Sequence, residues 1–309
     1  METKRTKKVL VSVLALALLQ LFTLNSLAQD EPRTPISSVP YTINSPGSYY
    51  LTGDIQTTLP DQNAITVKAN DVTIDLMGFR LIGRGTGNGH GIFMNGCKNV
   101  EIRNGTVRDF GGEGILEANW EQGISHRVIS VRAISNGDDG ICLFGKNHLV
   151  RDCTVQANGG EGIFADDGSI VSNNISSEND YSGIDLGAGS LVYNNITFDN
   201  GSSGIWTESG CFVLNNTSFF NAFGIYVESY GSLVKGNTIR NNDSSNIHVE
   251  GTDNAIEENL VTDSEYGIYF ETTGNFYANN RGADNTICFG GPGKPSAGSS
   301  GDGGGNVSF

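Results

Sequence analysis

The chain has 309 residues, 34 acidic and 19 basic side chains and a formal net charge of −15. Phosphate binding depends on Lys and Arg, so this balance excludes a nucleic-acid partner, and an uncovered polyanionic substrate would be repelled. Forty-two glycines beside seven prolines, with no Gly-X-Y period, exclude collagen and point to a chain of many turns.

The first residues carry Lys4, Arg5, Lys7 and Lys8, then an apolar run from Val9 to Leu24, then the small residues Ser26 and Ala28. That order predicts a secretory signal peptide over 1–28, too short to favour a transmembrane helix, and a secreted or periplasmic mature protein. Residues 29–64 are expected to supply an N-terminal cap and the first strands. From 289 to 309 the stretch "GGPGKPSAGSSGDGGG" reads as a Gly-rich flexible tail. The five cysteines are an odd number without CxxC spacing, and buried free thiols are expected for most of them.

Between these ends lies a repeat over 65–288. Gly-Ile recurs at Gly91, Gly114, Gly140, Gly162, Gly183, Gly204, Gly224 and Gly267, with Asn246-Ile247 filling the one gap, at steps of 20 to 26 residues. Asn174, Asn195, Asn216, Asn237, Asn259 and Asn280 keep the same step, with Cys153 one step upstream. A unit this short cannot bury an apolar face alone, so it must stack on its neighbours as a solenoid. Stacking sets each asparagine above the last, where amides form a ladder. In pairs such as Asn194-Asn195, one asparagine is expected to hold a turn.

The segments "NAITVKANDVTIDLMGFRLIG" and "ISSVPYTINSPGSYYLTGDI" resemble the first coil and the N-terminal cap of the right-handed parallel β-helix, the pectin-lyase-like fold. The resemblance implies an all-β solenoid of about ten coils.

Side chains alternate along a strand, so with each repeated Ile inside, the next residue points out. The inward residue after that is apolar at Met94, Leu143, Ala165, Leu186, Val227, Val249 and Phe270, and Glu117 breaks the pattern before the irregular "NWEQGISH". The outward column reads Phe93, Leu116, Cys142, Phe164, Asp185, Trp206, Tyr226, His248 and Tyr269. Beside it runs a row containing Glu208, Glu228, Glu250 and Glu271. Aromatic residues favour strands and carboxylates keep an edge soluble, which alone explains both rows. Alternatively Trp206, Tyr226, Tyr269, Asp185 and His248 form a saccharide track, with flat rings against sugars, and the four glutamates could hold calcium.

A second acidic cluster precedes Gly-Ile in three successive coils: Glu113, then Asp138 and Asp139, then Glu161. Gly137-Asp138-Asp139 is similar to the middle motif of the polygalacturonases, and Glu113 could stand for the first aspartate. Glu161 replaces that family's histidine, and "SGIDLG" stands where its Arg-Ile-Lys segment is expected. Stacked acids have their pKa values pushed apart, which would make Asp139 a base and Glu161 or Glu113 an acid for glycosidic cleavage. Turns rich in Gly, Asp and Glu are also ordinary turns. The histidine in "GNGHG", His90, is expected to form a tight turn.

Two functions follow. One is a monomeric, polysaccharide-directed hydrolase or lyase; the other is a non-catalytic glycan- or calcium-binding surface protein.

Overall fold

Each unit supplies short strands separated by turns, and the computed structural model, which describes residues 32–296 and 301–308, stacks successive units parallel and in register. The expected signal peptide lies outside the described residues. Twelve strands, from Tyr41–Ile43 through Ile65–Val67 to Ile287–Gly290, form one parallel sheet. The remaining paired strands form a second sheet of 22. The protein is an all-β parallel solenoid of about twelve turns. The count exceeds ten because strands inside 29–64 already pair with the next coil, as in Tyr41↔Ile65 and Ser48↔Thr73.

The repeated isoleucines, from Ile92 to Ile268, are fully buried, as are Met94, Leu143, Ala165, Leu186, Val227, Val249 and Phe270. Glu117 is equally buried, and a carboxylate there needs donors. It receives the N–H groups of Gly96, Cys97 and Asn119 at 2.7, 3.2 and 2.9 Å, and its Oε2 lies 3.1 Å from His126 Nε2. The irregular insertion thus ends on the histidine that meets the exceptional glutamate. His126 stacks on His148 at 5.2 Å, and burial, followed by the charge of His126, pushes the His148 pKa down to about 3.

Paired asparagines divide two tasks. Asn173, Asn194 and Asn215 adopt left-handed φ angles of 57°, 57° and 56°, which Asn tolerates at a turn. Their successors Asn174, Asn195 and Asn216 are buried in the ladder. Asn195 donates both its backbone N–H and its Nδ2–H to Asn216 Oδ1, at 2.9 and 3.0 Å, and the pattern runs from Cys153 to Asn280. A second ladder joins Asn136, Asn158, Asn179, Asn200, Asn221 and Asn242. A third changes residue type from coil to coil: the N–H of His126 reaches His148 Nδ1, that of His148 reaches Ser169 Oγ, and that of Ser169 reaches Ser190 Oγ.

The structure differs from the sequence reading at the C-terminus. Ile287–Gly290 continues the twelve-stranded sheet, Val307 and Ser308 pair with Arg281 and Gly282, and Asn306 Oδ1 accepts from Asn280 at 3.0 Å. An uncovered last coil would leave a row of backbone groups unpaired, and the Gly-rich segment supplies their partners. All five cysteines are free; Cys97, Cys142, Cys153 and Cys211 are buried and Cys288 is half-buried.

Asn216→Ala removes the acceptor of two Asn195 groups and the donor to Val192 O. It is expected to lower unfolding free energy by about 2 kcal/mol or more, the cost of buried unpaired polar groups, in urea denaturation.

Candidate functional site

The residue just before each Gly-Ile and the outward residue just after it form two neighbouring columns. Backbone bonds fix the first: Gly91 N–H reaches Glu113 O, Gly114 N–H reaches Asp139 O, Gly140 N–H reaches Glu161 O, and Gly162 N–H reaches Ser182 O, at 2.9 to 3.1 Å. It continues through Ser203, Phe223, Ser245 and Tyr266, which pair in register. The second runs Phe93, Leu116, Cys142, Phe164, Asp185, Trp206, Tyr226, His248 and Tyr269, each in register with the next. Residues three apart bridge the columns: His90 stacks on Phe93 at 5.5 Å, and Tyr266 meets Tyr269 edge-on at 4.9 Å. What the sequence presents as two separate clusters is one face, acidic at its early coils and aromatic at its late ones.

At the acidic end Asp139 is only 8% exposed. Its Oδ1 accepts the Glu161 N–H at 2.7 Å. A Cβ on Gly160 would lie 2.2 Å from that oxygen, so a larger residue there would displace the Asp139 carboxylate. Burial, then a hydrogen bond to Glu161 and repulsion by its charge, raise the Asp139 pKa to about 8, against a smaller opposing bond from the Cys142 thiol. The Cys142 thiol is itself pushed well up by burial and by the Asp139 charge.

Exposed Asp138 is raised by desolvation and by Glu113 and Glu161. Burial would raise Glu113 too, but the hydrogen bond and charge of His90, whose Nδ1 lies 2.7 Å from Glu113 Oε2, outweigh it and leave Glu113 lowered. Burial thus pushes Asp139 toward its protonated form, while His90, expected to form a tight turn, draws Glu113 toward the ionised one.

Asp185 joins the two ends. Its pKa is raised to about 8 by burial first, then by Glu161, Glu208 and Glu228, and its Oδ1 is buried without a hydrogen-bond partner.

At the aromatic end the rings are stacked on one another. His248 lies 4.7 Å from Tyr226 at 4° and 5.1 Å from Tyr269 at 27°. One strand spacing brings successive rings into contact, so Tyr226, His248 and Tyr269 cover one another's flat faces instead of offering them to sugars. Trp206 pairs in register with Tyr226 and is half-buried.

Calcium takes about six to eight oxygen ligands. Among the described residues no three His, Cys, Asp or Glu side chains group as a metal-ligand set. The Tyr226 hydroxyl donates to Glu250, and Glu271 Oε2 lies 3.2 Å from His248 Nε2. The row Glu208, Glu228, Glu250 and Glu271 does not fit a calcium site in this arrangement. No helix among the described residues is long and apolar enough to cross a membrane.

The chain belongs to the right-handed β-helix family, whose "right handed beta helix region" matches residues 61–219 and 140–287. No curated protein matches the sequence. Among solved structures, the chain is similar to the A-module of the Azotobacter vinelandii mannuronan C-5 epimerase AlgE4, with 16% identity, 90% of this chain and 81% of that one covered, and a TM-score of 0.53. The periplasmic alginate epimerase AlgG is similar at 13% identity, covering 89% and 77%, with a TM-score of 0.55. The Dettilon tailspike protein is similar at 14% identity, covering 89% of this chain and 59% of its own, with a TM-score of 0.55. At these identities the likeness is one of fold.

Between 3.8 and about 8 the folded chain holds protons on Asp139 and Asp185 that the unfolded chain has released, so both make stability fall as pH rises across that window. Asp139→Asn and Asp185→Asn are each expected to raise stability at pH 8 by about 1 kcal/mol or more, the scale of one pKa unit. The gain should vanish below pH 3.8, where the aspartates are protonated in both states, as read by thermal melts across pH.

Proposed function

We propose that the protein is secreted or periplasmic and acts on a polysaccharide lying along the two-column face. The Asp139–Glu161 pair serves as proton donor and Glu113 as the ionised partner. The observation that carries this reading is one column of acids in successive coils in which Asp139 is buried against Glu161 while His90 Nδ1 lies 2.7 Å from Glu113 Oε2, an arrangement that raises the Asp139 pKa to about 8 and lowers that of Glu113. Such a split supplies an acid and a base at one pH. Asp139 holds the proton, and half-buried Glu161, in hydrogen-bond contact with it, is the carboxyl a sugar oxygen can reach. Asp139 passes its proton to Glu161, which delivers it to the leaving glycosidic oxygen as the anomeric C–O bond breaks. Glu113 takes a proton from the water whose oxygen bonds to that carbon, so the overall step is a hydrolysis.

Hydrolysis is favoured over elimination because a lyase needs a uronate, whose charge this acidic face repels. The substrate is accordingly not a polyuronate. Two structures of the same fold are named as epimerases of mannuronan and of alginate, which supports a polysaccharide as substrate class and leaves the reaction to this chain's own residues. Glycan binding without turnover is the second reading, and the burial of Asp139 favours it.

The test is product formation by the mature protein on neutral, acetylated and uronic polysaccharides, with and without calcium. Asp139→Asn combined with Glu161→Gln is expected to lower turnover about 100-fold or more, the usual scale of general acid–base catalysis. Turnover that survives the double variant sinks the assignment. Absence of product from folded wild-type protein that is still retarded in glycan gels would establish the binding reading.

A further inference from the structure

The late coils hold a cavity of about 310 Å³ that the acid pair does not use. It arises because the first column places a small, buried Ser245 between Phe223 and Tyr266, two rings separated by two coils. Over that gap stand Phe223, His248, Tyr266, Tyr269, Glu265 and Glu271. Phe223 meets His248 at 72° and Tyr266 meets Tyr269 at 70°, so these two rings stand across the stack rather than in it.

We propose that this pocket binds a protonated amine carried on a sugar, so that the glycan taken along the face is one with free amino groups. The identity of the carrier rests on the polysaccharide reading above; the capture of the amine does not.

The groups lining the pocket select for positive charge. Aromatic faces attract cations through their quadrupole, and Phe223 and Tyr266 are the rings outside the mutually covered stack. Glu265 and Glu271 are exposed at the pocket, while no Lys or Arg lines it. With His248 donating Nε2–H to Glu271, the remaining ring nitrogen, Nδ1, is an acceptor without a partner. A neutral sugar would depend on open ring faces, which the Tyr226–His248–Tyr269 stack has largely used up. The carboxylates of Asp185, Glu208 and Glu228 continue from the pocket's end of the face toward Glu161, a path that holds a row of amines and repels a row of uronates. Acetylation of the amine removes the charge this arrangement recognises.

The test is calorimetric titration of the mature chain with a β-linked glucosamine hexamer, its N-acetylated counterpart and a glucose hexamer. The glucosamine oligomer is expected to bind at least about tenfold more tightly than the other two. Glu265→Gln with Glu271→Gln, and separately Tyr266→Ala, should each remove most of that preference. Glu121→Gln with Asp180→Asn alters two exposed carboxylates outside the pocket and should leave it in place.

Equal binding of all three oligomers would overturn amine selection and leave the polysaccharide reading standing. A preference lost equally in the Glu121 and Asp180 variant would also overturn the pocket, since diffuse attraction would then explain it. If no oligomer binds, methylammonium is titrated with the ring resonances of Tyr266 and Tyr269 followed by NMR. Perturbation of both would uphold the cation pocket while the polysaccharide reading falls, and silence would overturn the pocket as well.

Discussion

Most backbone amides in the turns of this solenoid find their partners in the neighbouring coil. That pairing organises the molecule. A coil of about 21 residues has no helix and no internal sheet, so its turns cannot satisfy themselves, and side chains that both donate and accept are threaded through the interior to do so. Asn195 and Asn216 show the device: one amide oxygen accepts two N–H groups from the coil before, while the amide nitrogen donates to a carbonyl. Because each ladder tolerates no slip, the register of every strand is fixed with it.

Fixed register turns sequence spacing into contact. Glu113, Asp139 and Glu161 are more than twenty residues apart in the chain and successive in one column, so like charges are held close together in a partly desolvated place. Their protonation must then differ. Burial pushes Asp139 toward its protonated form, while His90 draws Glu113 the other way. The same spacing at the late coils produces a different result, because rings one strand apart attract. His248 is held between Tyr226 and Tyr269, and only a residue as small as Ser245 leaves room beside them. One repeat thus carries repulsion at one end of its outer face and stacking at the other.

Buried polar groups inside the solenoid follow the same rule of complete pairing. Glu117 is tolerated in the core because three backbone N–H groups and His126 converge on it, and the insertion that interrupts the repeat is what delivers them. Among the described residues, the two buried side-chain atoms without a hydrogen-bond partner, Asp185 Oδ1 and His248 Nδ1, belong to the outer column and not to the core.

The all-β solenoid, its period, the inward apolar column and the membership of the outward one are legible in the residue order, because alternation and a 21-residue step are properties of spacing alone. So is the division of each asparagine pair, in which one residue turns the chain and the other enters a ladder. The opposite shifts of Asp139 and Glu113 emerge on folding, since they depend on burial and on His90, whose partner Glu113 lies 23 residues away. The third ladder was hidden because His148, Ser169 and Ser190 serve one geometric role with unlike side chains, and a search for period sees only like ones. Composition read the Gly-rich end as a tail, yet Asn306 and Val307 close the last coil, because unpaired backbone groups at a sheet edge are visible only once the strands are stacked. The flat faces expected of the rings were lost for the same reason: a column of aromatic residues is legible in the sequence, but its own stacking covers it.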